Sequence, residues 1–151
     1  MKSLVVLFCL IVFVYGKLPK DAVQTVREMM IAAGLECIDE VGATEADVLP
    51  LIRFTIPETE KGKCFIACMQ KKFEIMHKDG KIDKAALFKM MDELKRLDYE
   101  TYKVMKPVVD KCLATVKNVN DECETATNLL KCWYEEGNCG PNSDECIFEF
   151  E

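Results

Sequence analysis

Cysteine is the residue whose number and spacing could carry chemistry in this chain. Nine occur in 151 residues, at positions 9, 37, 64, 68, 112, 123, 132, 139 and 146. Cys9 lies in an apolar run, Leu4–Tyr15, that follows the basic Lys2 and closes on Val14-Tyr15-Gly16. A basic start, a short apolar centre and a small residue at the boundary read as a secretory signal peptide over residues 1–16. Its removal takes Cys9 and leaves eight cysteines in residues 17–151. An even count in a small secreted chain points to disulfides rather than to redox or metal chemistry. Cys64 and Cys68 stand four apart, on one face of a helix, and their Cβ atoms would be too far apart to bond to each other. They must reach two other segments, so their helix becomes the central post. Arithmetic does not choose among the many pairings that eight cysteines allow.

Other chemistries fail on residue type. The segment His77-Lys78-Asp79-Gly80-Lys81-Ile82 has the look of a calcium loop. With Gly80 in the glycine slot, though, Ile75 and Ala86 fall where Asp and Glu are needed. After the leader the chain holds one serine, Ser143, and one histidine, His77, so a catalytic triad has no basis. A cysteine nucleophile would need a free thiol, and the short paired Cys/His spacings of zinc sites are missing. Abundant carboxylates read as a solvated face. The expectation is a protein that is not an enzyme and needs no cofactor or metal.

Composition agrees with a single globular domain: 50% hydrophobic and 30% charged residues, with a net charge of −6. Five prolines and seven glycines exclude collagen-like and Pro/Gly-rich disordered chains. The acidic balance offers no basic stripe for nucleic acid or an anionic membrane. The longest apolar run falls well short of the roughly 20 residues that span a bilayer, so no stable membrane insertion is expected.

Helical periodicity must position the cysteines. Apolar residues recur at three and four from Asp21 to Val41, with Gly34 a point where this first helix could break and Gly42 its terminator. Thr44-Glu45-Ala46-Asp47 resembles a capping box, opening a short helix that Pro57 forbids from continuing. A third helix is predicted over Glu60–Met76, and Asp79-Gly80 forms a turn. Asp83 then caps a fourth helix over Leu87, Met90, Met91 and Leu94. Asp98–Val119 reads as a fifth, kinked or restarted at Pro107, and about Glu124–Glu135 as a sixth, ended by Gly137. Residues 137–151 read as a coil tail. The expected fold class is all-α, six short helices with no sheet.

The spacing Cys37-x26-Cys64-x3-Cys68-x43-Cys112-x10-Cys123-x8-Cys132 resembles the six-cysteine pattern of the insect odorant-binding proteins, the pheromone-binding and general odorant-binding family. The three- and eight-residue gaps are that family's tightest spacings. Lys63-Cys64-Phe65-Ile66-Ala67-Cys68, Asp79-Gly80-Lys81-Ile82-Asp83 and Asp121-Glu122-Cys123-Glu124-Thr125-Ala126 are similar to it as well, and the likeness runs from Lys17 to about Glu136. The resemblance implies a compact six-helix, disulfide-stapled bundle around an apolar cavity, with the bridges Cys37–Cys68, Cys64–Cys123 and Cys112–Cys132. Cys139 and Cys146 depart from the pattern. They read as a fourth bridge that closes the tail around Gly140-Pro141, with pairing elsewhere or between subunits as the alternative. Cys132 is followed by Trp133 rather than by the proline typical of the cysteine-richer branch.

The resemblance also implies that some apolar stripes line the cavity instead of filling it. The candidate ligand-binding residues are Phe65, Met69, Phe73 and Met76 on the third helix and Met90, Met91 and Leu94 on the fourth. Val109, Leu113, Leu129 and Trp133 join them, with Phe148 from a tail that covers the cavity. Methionine is flexible and polarisable, so a Met-rich wall adapts to ligands of different shape. Tyr99, Tyr102, Tyr134 and Thr115 are candidate polar handles. The implied partner is a small hydrophobic ligand, with a chemosensory receptor only indirectly involved and a monomer or weak homodimer as the assembly. Two other classes compete: a secreted saposin-like lipid-active protein, and an interaction protein that shares the scaffold but fills its cavity.

Overall fold

The computed structural model describes residues 20–143 and 145–147. The expected signal peptide over 1–16 and the expected ligand contact at Phe148 lie outside them. The described residues form six helices: α1 Lys20–Val41, α2 Glu45–Ile52, α3 Glu60–Lys72, α4 Lys84–Leu97, α5 Tyr99–Thr115 and α6 Glu122–Glu136. No strand occurs among the described residues. A single isolated antiparallel bridge joins Met76 to Ile82.

Most boundaries are set by side chains that take up orphan backbone groups. Asp47 Oδ2 accepts from the Thr44 backbone N–H at 2.7 Å and from the Thr44 hydroxyl at 2.8 Å, fixing the start of α2. Asp83 Oδ1 accepts from Ala86 N at 2.8 Å, and Asp98 and Asp121 cap α5 and α6 in the same way. α1 runs unbroken through Gly34, whose absent Cβ would find only the Phe65 ring tip at 3.9 Å. Helix α5 likewise runs through Pro107 and stops at Thr115, short of the expected Val119.

The third helix is also shorter than its periodicity predicts. It ends at Lys72 instead of Met76 because Glu74 adopts a left-handed backbone, φ +58°. Ile75 and Met76 then fold back, and both donate their N–H groups to Gln70 O. The reversal leads into the turn at Gly80, φ +82°, where a Cβ would stand 2.5 Å from Cβ of Glu122. Only glycine lets this turn seat against the start of α6. At Gly62 the constraint is space: a Cβ would meet Pro57 Cβ at 2.5 Å and Asp47 O at 2.7 Å, so glycine is what lets α3 approach α2.

Helix α3 is the post around which the rest assembles. It packs on α1, α2 and α6, while α5 bridges α6 to α4. Two of the disulfides radiate from it, Cys37–Cys68 to α1 and Cys64–Cys123 to α6; Cys112–Cys132 joins α5 to α6. The fourth, Cys139–Cys146, closes the tail on itself. These are the bridges the family resemblance implies, with the added pair joined as expected. Lys63–Glu124 and Lys71–Glu122 span the α3–α6 seam at 2.5 and 2.6 Å, and Lys72 reaches Glu36 of α1 at 2.6 Å. Pairs that keep this much solvent contact each contribute about 1 kcal/mol or less, so the covalent staples and the apolar core dominate.

Candidate functional site

Helix packing leaves an open row in space: α1, α3, α6, α5, α4. Among the described residues α1 and α4 share no packing, although they sit at the two ends of this row. Between them lies a cleft of about 900 Å³, within the range of small-molecule sites. Met29, Ala32 and Ala33 of α1 form one side and Ala86 at the start of α4 the other, with Phe73 and Met76 of the reversal between them. The same lining includes Glu36, Lys71, Lys72, Glu74, Lys78 and Asp83, with the His77 imidazole among them. His77 Nδ1 lies 3.3 Å from Asp83 Oδ2. The cleft is therefore lined by apolar and ionisable side chains together.

The structure distributes the sequence-predicted site residues over three apolar groups. Met90, Met91 and Leu94 of α4, Val109 and Leu113 of α5 and Leu129 of α6 meet in the largest buried group, with Phe73 and Trp133 packed against it. Met76 belongs to a second group with Ile66, Ala67, Cys123 and Ala126. Phe65 and Met69 belong to a third, around Cys37–Cys68, on the side of α3 that faces α1 and α2. Of the predicted residues, Phe73 and Met76 line the cleft. Ile147 packs on the largest group and donates its N–H to Gly137 O at 3.0 Å, so the tail is folded back over the core as far as it is described.

The polar handles separate equally clearly. Tyr99 is 54% exposed and stacks on the half-buried Tyr102, with ring centroids 6.0 Å apart. The Thr115 hydroxyl donates to Lys111 O at 2.9 Å within its own helix. Tyr134 meets Phe54 edge to face at 5.6 Å, and burial pushes its phenol up to about 12. The folded protein therefore holds this proton to about pH 12, whereas the unfolded chain releases it near 10. Between those values the unfolded state binds fewer protons, so stability falls as pH rises; below pH 10 the group contributes nothing. Tyr134→Phe is expected to flatten the alkaline stability loss by about 1 kcal/mol, allowing for the solvent contact of a half-buried ring. Urea midpoints of both proteins between pH 9 and 12 check this, and parallel curves would reject it.

Sequence reasoning passed over the α1 wall. Met29 and Ala33 lie four apart, with Ala32 beside them on the same side of the helix, but small residues on a first helix carry no signal that distinguishes a cleft from a packed face. It also passed over two buried polar atoms with no hydrogen-bond partner among the described residues, Gln70 Oε1 and Trp133 Nε1. Gln70 spends its amide N–H on Ala126 O at 2.9 Å. A metal has no place in the one candidate cluster among the described residues, Glu60, Cys64 and Cys123, because the two sulfurs are joined in a disulfide and offer no thiolate. A second hollow of about 570 Å³, around Pro141, Asn142 and Ser143, is shallow and polar.

The described residues thus form a helical shell tied by three disulfides between helices, with a cleft of ligand size at its open side. The comparisons make the class specific: the PBP/GOBP family model matches residues 19–136, and the chain belongs to that family. It is 35% identical over 101 residues to general odorant-binding protein 19d of Drosophila melanogaster, covering 67% of each chain. Identity to general odorant-binding protein 28a of the same organism is 29% over 113 residues, covering 75% of this chain and 78% of that one. A solved structure of Drosophila odorant-binding protein 28a matches with a TM-score of 0.62 at 27% identity, covering 75% of this chain and 93% of that one.

Proposed function

We propose that this protein is a secreted carrier that binds and solubilises small hydrophobic ligands without covalent chemistry. The observation that carries the reading is the cleft between α1 and α4, opening beside a methionine-bearing wall in a member of the odorant-binding family. The cargo enters between α1 and the α3–α4 reversal and lies against Met29, Ala33, Phe73 and Met76. Beyond Phe73, the wall continues into Met90, Met91, Leu94, Val109, Leu113, Leu129 and Trp133. Four disulfides among the described residues support an oxidising, extracellular compartment.

Affinity comes from removing apolar surface from water. Each buried CH₂ contributes about 0.8 kcal/mol, so lengthening an alkyl cargo by one carbon tightens binding roughly fourfold until the cleft is full. Displacement of a fluorescent apolar probe by a homologous series of alkyl ligands tests this. The expected result is micromolar affinity rising with chain length to a plateau. Probe binding that no ligand displaces would instead favour a scaffold whose interior is filled by its own side chains, a reading the tight grouping of Met90, Met91 and Leu94 keeps in play.

A further inference from the structure

Helix α1 carries a ridge that nothing in the described chain covers. Arg27, Ile31, Leu35 and Asp39 follow one another at intervals of four, so their side chains form one line along the helix, with Ile31 54% and Leu35 61% exposed. Ile31 and Leu35 each lie two residues, about 200° of helix, beyond Met29 and Ala33 of the cleft. Leu35 likewise lies two before Cys37, which is fully buried. The ridge therefore points away from both the cleft and the core. Arg27 and Asp39, at its ends, are exposed too, and no ion pair among the described residues uses either. The salt bridges that α1 does make run from Glu36 and Glu40 to Lys72.

The order of these four residues selects the occupant. A cation at one end, an anion at the other and two aliphatic side chains between them complement themselves when reversed. Turned end for end about a two-fold axis at the level of Ala33, the ridge sets Arg27 against Asp39 and Ile31 against Leu35, each twice. Ridges of residues four apart are also those that interlock when two helices cross at about 50°, the commonest helix pairing. We infer that this face of α1 is a two-fold contact with a second copy of this chain. The local balance of charge matters because the chain carries −6 overall, so two copies repel over most of their surface. The ridge is neutral, and the reversed pairing makes two attractive contacts there. Glu28 is the charged neighbour beside it, and its carboxylate accepts from Gln24 Nε2 at 2.8 Å. A foreign apolar partner would use Ile31 and Leu35 alone, with no call for opposite charges equidistant from the centre. The contact is small beside a standard interface, so dimer exchanges with monomer, and each copy keeps its cleft on the far side. The inference does not depend on what the cleft holds.

Charge reversal tests the pairing. Sedimentation velocity of the full secreted chain, from low micromolar to millimolar concentration, is expected to show monomer–dimer exchange. Arg27→Asp brings carboxylates together and Asp39→Arg brings guanidinium groups together. Each is expected to weaken its own dimer at least about tenfold, because like charges set side by side are costly. An equimolar mixture of the two variants is expected to dimerise as the unaltered chain does, since each offers the complement of the other. An unaltered chain that stays monomeric at every concentration would overturn the proposal and leave the ridge to a partner of another kind. A dimer that neither reversal weakens would overturn it, as would monomeric variants that mixing does not restore. Both side chains are exposed, so both variants are expected to keep the helical signal and melting temperature of the original. If one does not fold, Leu35→Ser takes its place, and a dimer undiminished by that change would overturn the proposal.

Discussion

Replacing Cys64 and Cys123 together by alanine is expected to lower the unfolding free energy by about 4 kcal/mol, the loop-closure entropy of the 59-residue separation they join. For a domain of this size that corresponds to a fall in melting temperature of roughly 8–16 °C. Nothing else across the α3–α6 seam can replace the bridge. The ion pairs Lys63–Glu124 and Lys71–Glu122 are still partly open to solvent and so individually weak, and Gln70 leaves one of its own polar atoms unmet there. Removing Cys139 and Cys146, only seven residues apart, is expected to cost about 2 kcal/mol by the same reasoning. Urea unfolding of both double variants under non-reducing conditions decides the matter. Equal losses would show that loop length does not govern these bridges and that native-state packing around the sulfurs does.

The cysteine framework was legible because its spacing is covalent information: a bridge needs two cysteines at fixed separations whatever the rest of the chain does. Helix starts were legible for the same local reason. In the Thr44–Asp47 box the Asp47 carboxylate accepts from the Thr44 N–H, and Asp83 accepts from the Ala86 N–H, each within three residues of itself; the start of α6 at Glu122, capped by Asp121, falls where the sequence reads as a turn. The ends were not. Phe73 and Met76 continue the apolar period of α3, and no glycine announces that Glu74 reverses the chain; the reversal is held by Gln70 O and by the Met76–Ile82 bridge. The α5 terminus is similarly decided from outside. Asn118 Oδ1 accepts from Ile82 N at 2.9 Å and Val119 N donates to Thr125 Oγ1 at 3.0 Å, which draws residues 116–119 away from the helix axis. The apolar stripe of α4 was legible as buried. Whether a buried stripe packs on neighbours or faces a cleft is decided by how close other helices come, and spacing along one helix does not carry that information.

Filling the cleft from its α1 side separates those two roles. Ala33→Phe is expected to weaken binding of an alkyl ligand by about 2 kcal/mol, roughly thirtyfold, because the new ring occupies space that would otherwise bury two or three CH₂ groups of cargo. Ala33 lines the cleft and is only partly buried, so the added ring finds room without displacing core side chains and the melting temperature should hold. Ala46→Phe, on the exposed face of α2 and away from the lining residues, supplies the control and is expected to leave affinity unchanged. If both variants bind as the original does, the cargo does not lie against α1. The binding space would then have to open within the group formed by Met90, Met91, Leu94 and Leu129, whose present close packing would have to part to admit it. If Ala33→Phe alone fails, the cleft between α1 and α4, at the open end of the helix row, is the site.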